Sequence, residues 1–348
     1  MTVRRTIAAA MLAVAAAVVP AQQATATGSA DLPFASATTV GLHNTYDPAA
    51  FSYLAQSLDT GTGMIELDAW TDTITHEWKV SHSNPLGNSN NCVTASSADQ
   101  LYSGGTNKNL ENCFDDIRVW LAAHPQAGPL VVKLELKAGF SANHGMGPAQ
   151  LDSLIHAHLG STVFRPADLL AKPGGGSYAT LDDAARAGNW PSRGSLAGRV
   201  LVDVIPGTVE EQNPFDTLHT DVEYSRYLRD LAGAGRVGEA QVFPVVHGAA
   251  AGDPRAAYAE TSIRPWFVVF DGDASAYLNG IDTGWYDTRH YLLVMTDAQN
   301  VAPAISATDP TTDQARSRTA QLAAAHASIV SSDWRHVPQV QNVVLPRG

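Results

Sequence analysis

Apolar and polar positions alternate along this chain in short runs, set apart by longer stretches with helical spacing. Thr38–Leu42 is an apolar run that predicts a first strand. Met64–Trp70 predicts a second, in which Ile65, Leu67 and Ala69 alternate with Glu66 and Asp68. Successive strand residues point to opposite faces, so the two acids share one face and the aliphatic side chains the other. Trp78–Ser83 is a short strand-like run ending on His82 and Ser83. In Pro129–Lys137, Lys133, Glu135 and Lys137 alternate with Val132, Leu134 and Leu136. In a half-buried strand that charged face looks at water, and in an α/β barrel it looks into the mouth. The run alone leaves both open; its setting among helices favours the barrel. Arg199–Ile205, Gln241–Val246, Trp266–Asp271, Tyr291–Met295 and Ser328–Ser332 predict further strands.

Between these lie predicted helices at Pro48–Leu58, Leu110–His124, Ala149–Leu159, Leu181–Ala187, Tyr224–Leu231 and Thr312–Ala325. Asn84–Asn109, rich in Asn, Ser and Gly, reads as a long loop. Pro173–Gly176 is also a loop, because a phosphate cradle would need a preceding strand and a Lys-Ser/Thr pair. About eight strands follow one another from Thr38 with no repeat and no linker. That pattern predicts an α/β fold, a single (β/α)8 TIM-type barrel of irregular build over residues 31–348.

The 348 residues would suit two average domains or one large barrel, and 45% hydrophobic with 16% charged residues suits a globular chain with a full core. A formal net charge of −12 argues against nucleic acid and against simple electrostatic attraction to anionic lipid. Arg4 and Arg5 precede an apolar run from Ile7 to Val19 and then small residues, the layout of a secretory signal peptide over residues 1–30. The run is too short to span a bilayer comfortably, so we expect a secreted protein without a transmembrane segment. Cys92 and Cys113 are the only cysteines, and export makes one disulfide the natural reading.

Candidate chemistry gathers near the second strand. Two carboxylates on one strand face repel each other and lose hydration unless a cation lies between them. Taken alone, they could equally be two separately solvated acids. Asn44, a hard oxygen donor, and a His on each side, His43 and His82, favour a metal-assisted site. Of the ten other histidines, His247 has a candidate place because it ends a strand beside Gly248; His156 and His158 fall on different helix faces.

His43-Asn44-Thr45-Tyr46, then Glu66-Leu67-Asp68 with Trp70, then His82 and Glu135, resemble in their order the phosphatidylinositol-specific phospholipase C family. The stretches Thr180–Ile205 and Ser328–Asp333 are also similar to the family's. The resemblance implies a barrel enzyme in which Asn44, Glu66, Asp68 and Glu135 hold calcium while His43 and His82 act on the phosphate. It implies a monomer that cleaves phosphatidylinositol at a membrane or micelle surface. The metal-independent branch has an Arg in the acidic strand, where this chain keeps Asp68. Lys133, Lys137, Asp203 and His247 are further candidates for substrate contact. Two departures stand out: Ser83 replaces the Gly that often follows the second His, and the lipid-binding domains of large eukaryotic relatives are absent.

A bound inositol 2-hydroxyl would then attack phosphorus, with His82 as general acid toward diacylglycerol. His43 would stabilise the charged phosphoryl oxygens or take the nucleophile's proton, and a metal-bound carboxylate, Glu66 or Asp68, is the alternative base. Two alternatives compete. Glycerophosphodiester phosphodiesterases share the barrel and the His, Glu-x-Asp, His order, but they usually begin His-Arg-Gly and carry His-Asp where this chain has His82-Ser83. A non-catalytic secreted lipid- or sugar-binding barrel would not need both histidines. No HExxH or GxSxG motif supports a zinc protease or a serine hydrolase.

Overall fold

The two charged strands of the sequence become parallel neighbours in the computed structural model, which describes residues 29–348. Glu66 stands opposite Lys133, and Asp68 opposite Glu135. The strands are β1 (Ala37–Leu42), β2 (Met64–Asp72), β3 (Glu77–Val80), β4 (Leu130–Leu136) and β5 (Val200–Pro206). They continue as β6 (Val242–His247), β7 (Val269–Asp273), β8 (Leu292–Thr296), β9 (Ile329–Ser332) and β10 (Val344–Pro346). Each of β1, β2 and β4 to β9 pairs in parallel with the next, and β9 pairs with β1, so eight strands close into a (β/α)8 barrel. The charged face of β4 points into this barrel: Lys133, Glu135 and Lys137 are all buried.

The irregularity sits at the seam between β1 and β2, where only Gly41↔Met64 and Leu42↔Ile65 pair. Below it β10 runs antiparallel along the start of β1, and above it β3 runs antiparallel along the end of β2. Gly41 permits the close approach, since a Cβ there would come within 2.9 Å of both Ile329 and Met64 side chains.

Helices α1 (Leu54–Asp59), α2 (Leu110–Ala123), α3 (Pro148–Leu159), α4 (Thr220–Gly233) and α5 (Thr312–Ala324) cover the barrel, with shorter turns between. On α2 the buried residues Leu110, Phe114, Ile117 and Leu121 recur at helical spacing and face the sheet. The helix expected over Pro48–Leu58 begins at Leu54. Its first part is a turn in which the Asp47 carbonyl and carboxylate accept the N–H groups of Ala50 and Ala49, and Tyr53 is extended. The strand expected from Trp266 begins at Val269, because Thr261–Trp266, with Pro265 inside it, winds as a 3₁₀ turn. The expected helix Tyr224–Leu231 runs longer, from Thr220 to Gly233.

The loop 84–109 is held by side chains in place of a ladder. Asn91 Nδ2 donates to the carbonyls of Thr45 and Phe51, and Asn90 Nδ2 to those of Val80 and Lys108. Asp116 on α2 accepts from the backbone N–H groups of Val93 and Ala95, both at 2.7 Å. The Cys92–Cys113 disulfide ties the loop to the first turn of the same helix. Residues 1–28 of the expected leader lie outside the described residues; among those described, no helix is long and apolar enough to cross a membrane.

Candidate active site

All the charged residues singled out on β2 and β4 end at the mouth formed by the C-terminal ends of the strands, where barrel enzymes place their chemistry. Glu66, Asp68 and Glu135 bring one carboxylate oxygen each within 4.8 Å of one another. Lys133 Nζ lies 3.2 Å from Glu66 Oε1 and 2.9 Å from Asp271 Oδ2. Lys137 Nζ lies 3.3 Å from Asp68 Oδ2 and 2.7 Å from Glu135 Oε1. Glu135 Oε1 also accepts the backbone N–H of Thr208 at 3.1 Å.

Two ammonium groups are thus set against four carboxylates in the barrel interior, and a negative excess remains. Burial, then repulsion from Glu66 and Glu135, pushes the Asp68 carboxyl up to about 6. Burial works on Glu66 in the same direction, but Lys133 and His43 outweigh it and hold that carboxyl down at about 2. Asp68 Oδ1 is buried with no hydrogen-bond partner, while Oδ2 takes Lys137 and His82. A buried oxygen without a donor costs free energy unless a cation meets it. An all-oxygen donor set with one such orphan fits a hard divalent ion such as calcium.

A histidine stands on each side of the cluster. Backbone geometry places His43 just past β1, with Nε2 3.3 Å from Glu66 Oε2 and Nδ1 3.0 Å from Asp333 Oδ1. Burial disfavours the charged ring, yet Glu66 and the hydrogen bond to Asp333 prevail and raise it to about 9. His82 follows β3, and its exposed ring has Nδ1 3.2 Å from Asp68 Oδ2. Tyr46 OH donates to Asn44 Oδ1 at 3.0 Å and lies 3.4 Å from His82 Nδ1. The Asn44 backbone N–H donates to Glu66 Oε2, in a left-handed conformation that aims it back at the barrel.

Two cavities open here. One of about 230 Å³ is lined by His43, Glu66, Lys133, Glu135, His247 and Asp333, among others. The other, of about 500 Å³, is lined by Asn44, Tyr46, His82 and Asn84. His247 reaches the first cavity with Nδ1 2.6 Å from Glu211 Oε1; burial lowers its affinity for a proton, but Glu211 and Asp271 raise it further. Asp203 is placed differently. It is buried beneath Lys133, does not line either cavity, and burial pushes its carboxyl well up.

Tyr46 and Asp333 join the site although the sequence reading gave neither a role. Asp333 carried one usable signal, its place directly after the last predicted barrel strand. Tyr46 carried only its nearness to Asn44.

The solved structure of a Ca²⁺-dependent phosphatidylinositol-specific phospholipase C from Streptomyces antibioticus is 52% identical, covers 91% of this chain and 99% of its own, and superposes with a TM-score of 0.88. A calcium-dependent phosphoinositol-specific phospholipase C from a Pseudomonas species, in its myo-inositol complex, is 19% identical over 93% of this chain and all of its own. Its TM-score of 0.65 supports the shared fold. No family model and no curated protein sequence matches the chain.

Proposed function

The chain belongs to the calcium-dependent phosphatidylinositol-specific phospholipase C family, and on that premise we propose how its residues divide the work. It is a phosphoric diester hydrolase that cleaves phosphatidylinositol in a calcium-dependent reaction. The observation that carries the assignment of residues is the group of Glu66, Asp68 and Glu135 within 4.8 Å, with His43 against one end and His82 against the other.

Asn44, Glu66, Asp68 and Glu135 would hold the ion, and Oδ1 of Asp68, buried without a hydrogen-bond donor, is the ligand atom that most needs it. Bound calcium lowers the pKa of a coordinated hydroxyl and offsets charge on the phosphate. The inositol 2-hydroxyl attacks phosphorus and diacylglycerol leaves. Asp333 accepts the Nδ1–H of His43, whose charged form is favoured, so the ring suits the charged phosphoryl oxygens. A carboxylate of the cluster, Glu66 or Asp68, would take the nucleophile's proton. Asp68 and Tyr46 hold Nδ1 of His82, so its exposed Nε2 can give a proton to the departing alkoxide. Lys133 and Lys137 are engaged with carboxylates, and we assign them to holding the ligands in place rather than to substrate. His247 remains a candidate for contact with the inositol ring, while the burial of Asp203 speaks for a supporting role.

The lipid is met at a surface. Ile74, Leu86, Val209 and Phe215 are exposed and all sit in segments that leave the mouth end of β2, β3 and β5. Their exposure, 91% for Phe215 and 74% for Leu86, supports interfacial docking by apolar loops without a basic patch. We further read residues 31–348 as one catalytic unit, exported behind a signal peptide at residues 1–30 and acting as a monomer.

The test is release of water-soluble inositol phosphate from phosphatidylinositol vesicles, before chelation, after it, and after calcium is restored. Loss and recovery are expected; full activity after exhaustive chelation would overturn the assignment. A 2-O-methyl inositol lipid should be inert, because intramolecular attack, favoured by effective molarities on the order of 10⁵ M or more, needs that hydroxyl.

A further inference from the structure

The opposite end of the barrel holds a second cavity that the reaction does not use. It has a volume of about 490 Å³ and lies against the N-terminal ends of β1, β2 and β4, where Thr39, Gly63 and Pro129 line it. Its walls are largely apolar, built from Leu58, Trp120, Leu130 and Val343. Trp120 is held in place by its indole N–H, which donates to Asp59 Oδ1 at 2.8 Å, and by a stack on His124 at 4.3 Å.

One charged group in this apolar setting lacks a partner. Arg193 is buried, with 8% of the residue exposed, and its side chain makes no hydrogen bond or ion pair among the described residues. Its backbone N–H is used, donating to the Leu32 carbonyl, so only the guanidinium is left over. Burial with no carboxylate to oppose it pulls the guanidinium down to about 10. Buried charges are ordinarily paired in proteins, whereas Arg193 has no ion-pair partner and its nitrogens, none of them fully buried, open on the cavity. Every other buried arginine among the described residues has an acceptor: Arg255 meets Asp182 and Asp253, Arg318 the Ala298 carbonyl, and Arg347 the carbonyls of Ala35 and Tyr291.

We propose that this cavity is a ligand site for an amphiphilic oxyanion, an apolar body with one carboxylate that pairs with Arg193. The complementarity is specific. A guanidinium offers a planar fork of N–H donors that suits a carboxylate, and the apolar lining of the cavity suits hydrocarbon. The site lies at the far end of the barrel from His43 and His82, so occupancy leaves the mouth free. It goes beyond the phospholipase reading and stands whether or not the assignment of catalytic residues holds.

The probes are decanoate and decanol, titrated calorimetrically into the full chain. Saturable one-to-one binding of decanoate is expected, with decanol at least 10-fold weaker. Arg193→Met should abolish that preference for the anion, whereas Arg193→Lys should keep it. Arg193→Met should also raise the Tm of the unliganded protein, since it removes a buried charge with no partner, and phosphatidylinositol turnover should stay unchanged. Absence of binding at millimolar probe, equal binding of decanol and decanoate, or undiminished binding by Arg193→Met would overturn the site. Displacement of the probe by myo-inositol 1-phosphate would instead place it at the mouth, and would overturn the proposal as well.

Discussion

The Nδ1 of His43, one residue past the first barrel strand, lies 3.0 Å from Oδ1 of Asp333, one residue past the last. Closure of the barrel brings β9 beside β1, and residues 290 positions apart become a hydrogen-bonded pair. The pair fixes which ring nitrogen faces the mouth.

Asp333→Ala should therefore lower kcat about 10–100-fold, the usual cost of removing a partner that orients a functional group, with little change in KM. Calcium affinity should stay the same, since Asp333 is outside the carboxylate cluster. Unchanged kcat would remove Asp333 from the mechanism.

His82→Ala should lose turnover by about 10²–10⁴-fold while calcium binding persists. A substrate with a much better leaving group needs less protonation and should recover part of the loss. Equal losses on both substrates would show that His82 is not the general acid.

The rim predicts a split between substrates. Replacing Leu86 and Phe215 together by Ser removes two side chains, each worth about 1.5–3 kcal/mol when fully buried. Activity on vesicles should fall by about 10-fold or more, while activity on monomeric short-chain phosphatidylinositol should be retained. Parallel losses would place these residues in folding rather than docking.

Asp152 gives a stability prediction away from the site. Burial pushes its carboxyl up to about 7, against hydrogen bonds from Tyr224 OH and the Gln241 N–H that favour the charged form. Its folded pKa is above the unfolded value. Its contribution is therefore most favourable at low pH and declines as pH rises from about 4 to about 7. Asp152→Asn lacks that titration and keeps an acceptor for both donors. From pH 5 to pH 8 its stability should improve by about 3 kcal/mol relative to the parent, read as the difference between two urea melts at each pH. A pH-independent difference would mean that the carboxyl titrates normally.

Reduction of the Cys92–Cys113 bridge should cost about 3 kcal/mol, because it closes a loop of 21 residues in the unfolded chain. Faster amide exchange should appear first in residues 84–109, with the barrel strands still protected. Simultaneous loss of protection everywhere would show that the loop has no independent opening.

What the chain settled by itself is local. A period of two puts Glu66 and Asp68 on one strand face and Lys133 and Glu135 on another, and this holds for any register the strands adopt. Helical spacing marks Leu110, Phe114, Ile117 and Leu121 as one buried face of α2. Boundaries were harder: Pro48 reads as a helix start, but the Asp47 turn captures it, and Pro265 turns an expected strand end into a 3₁₀ turn. The tertiary structure decided everything that depends on distance across the barrel. It chose the interior for the charged face of β4, set Lys133 between Glu66 and Asp271, and brought Asp333 to His43. It also left Arg193 unpaired in an apolar cavity. The physical reason is one of range. Side-chain alternation is a property of neighbouring residues, whereas ion pairing and desolvation depend on which strands closure sets side by side.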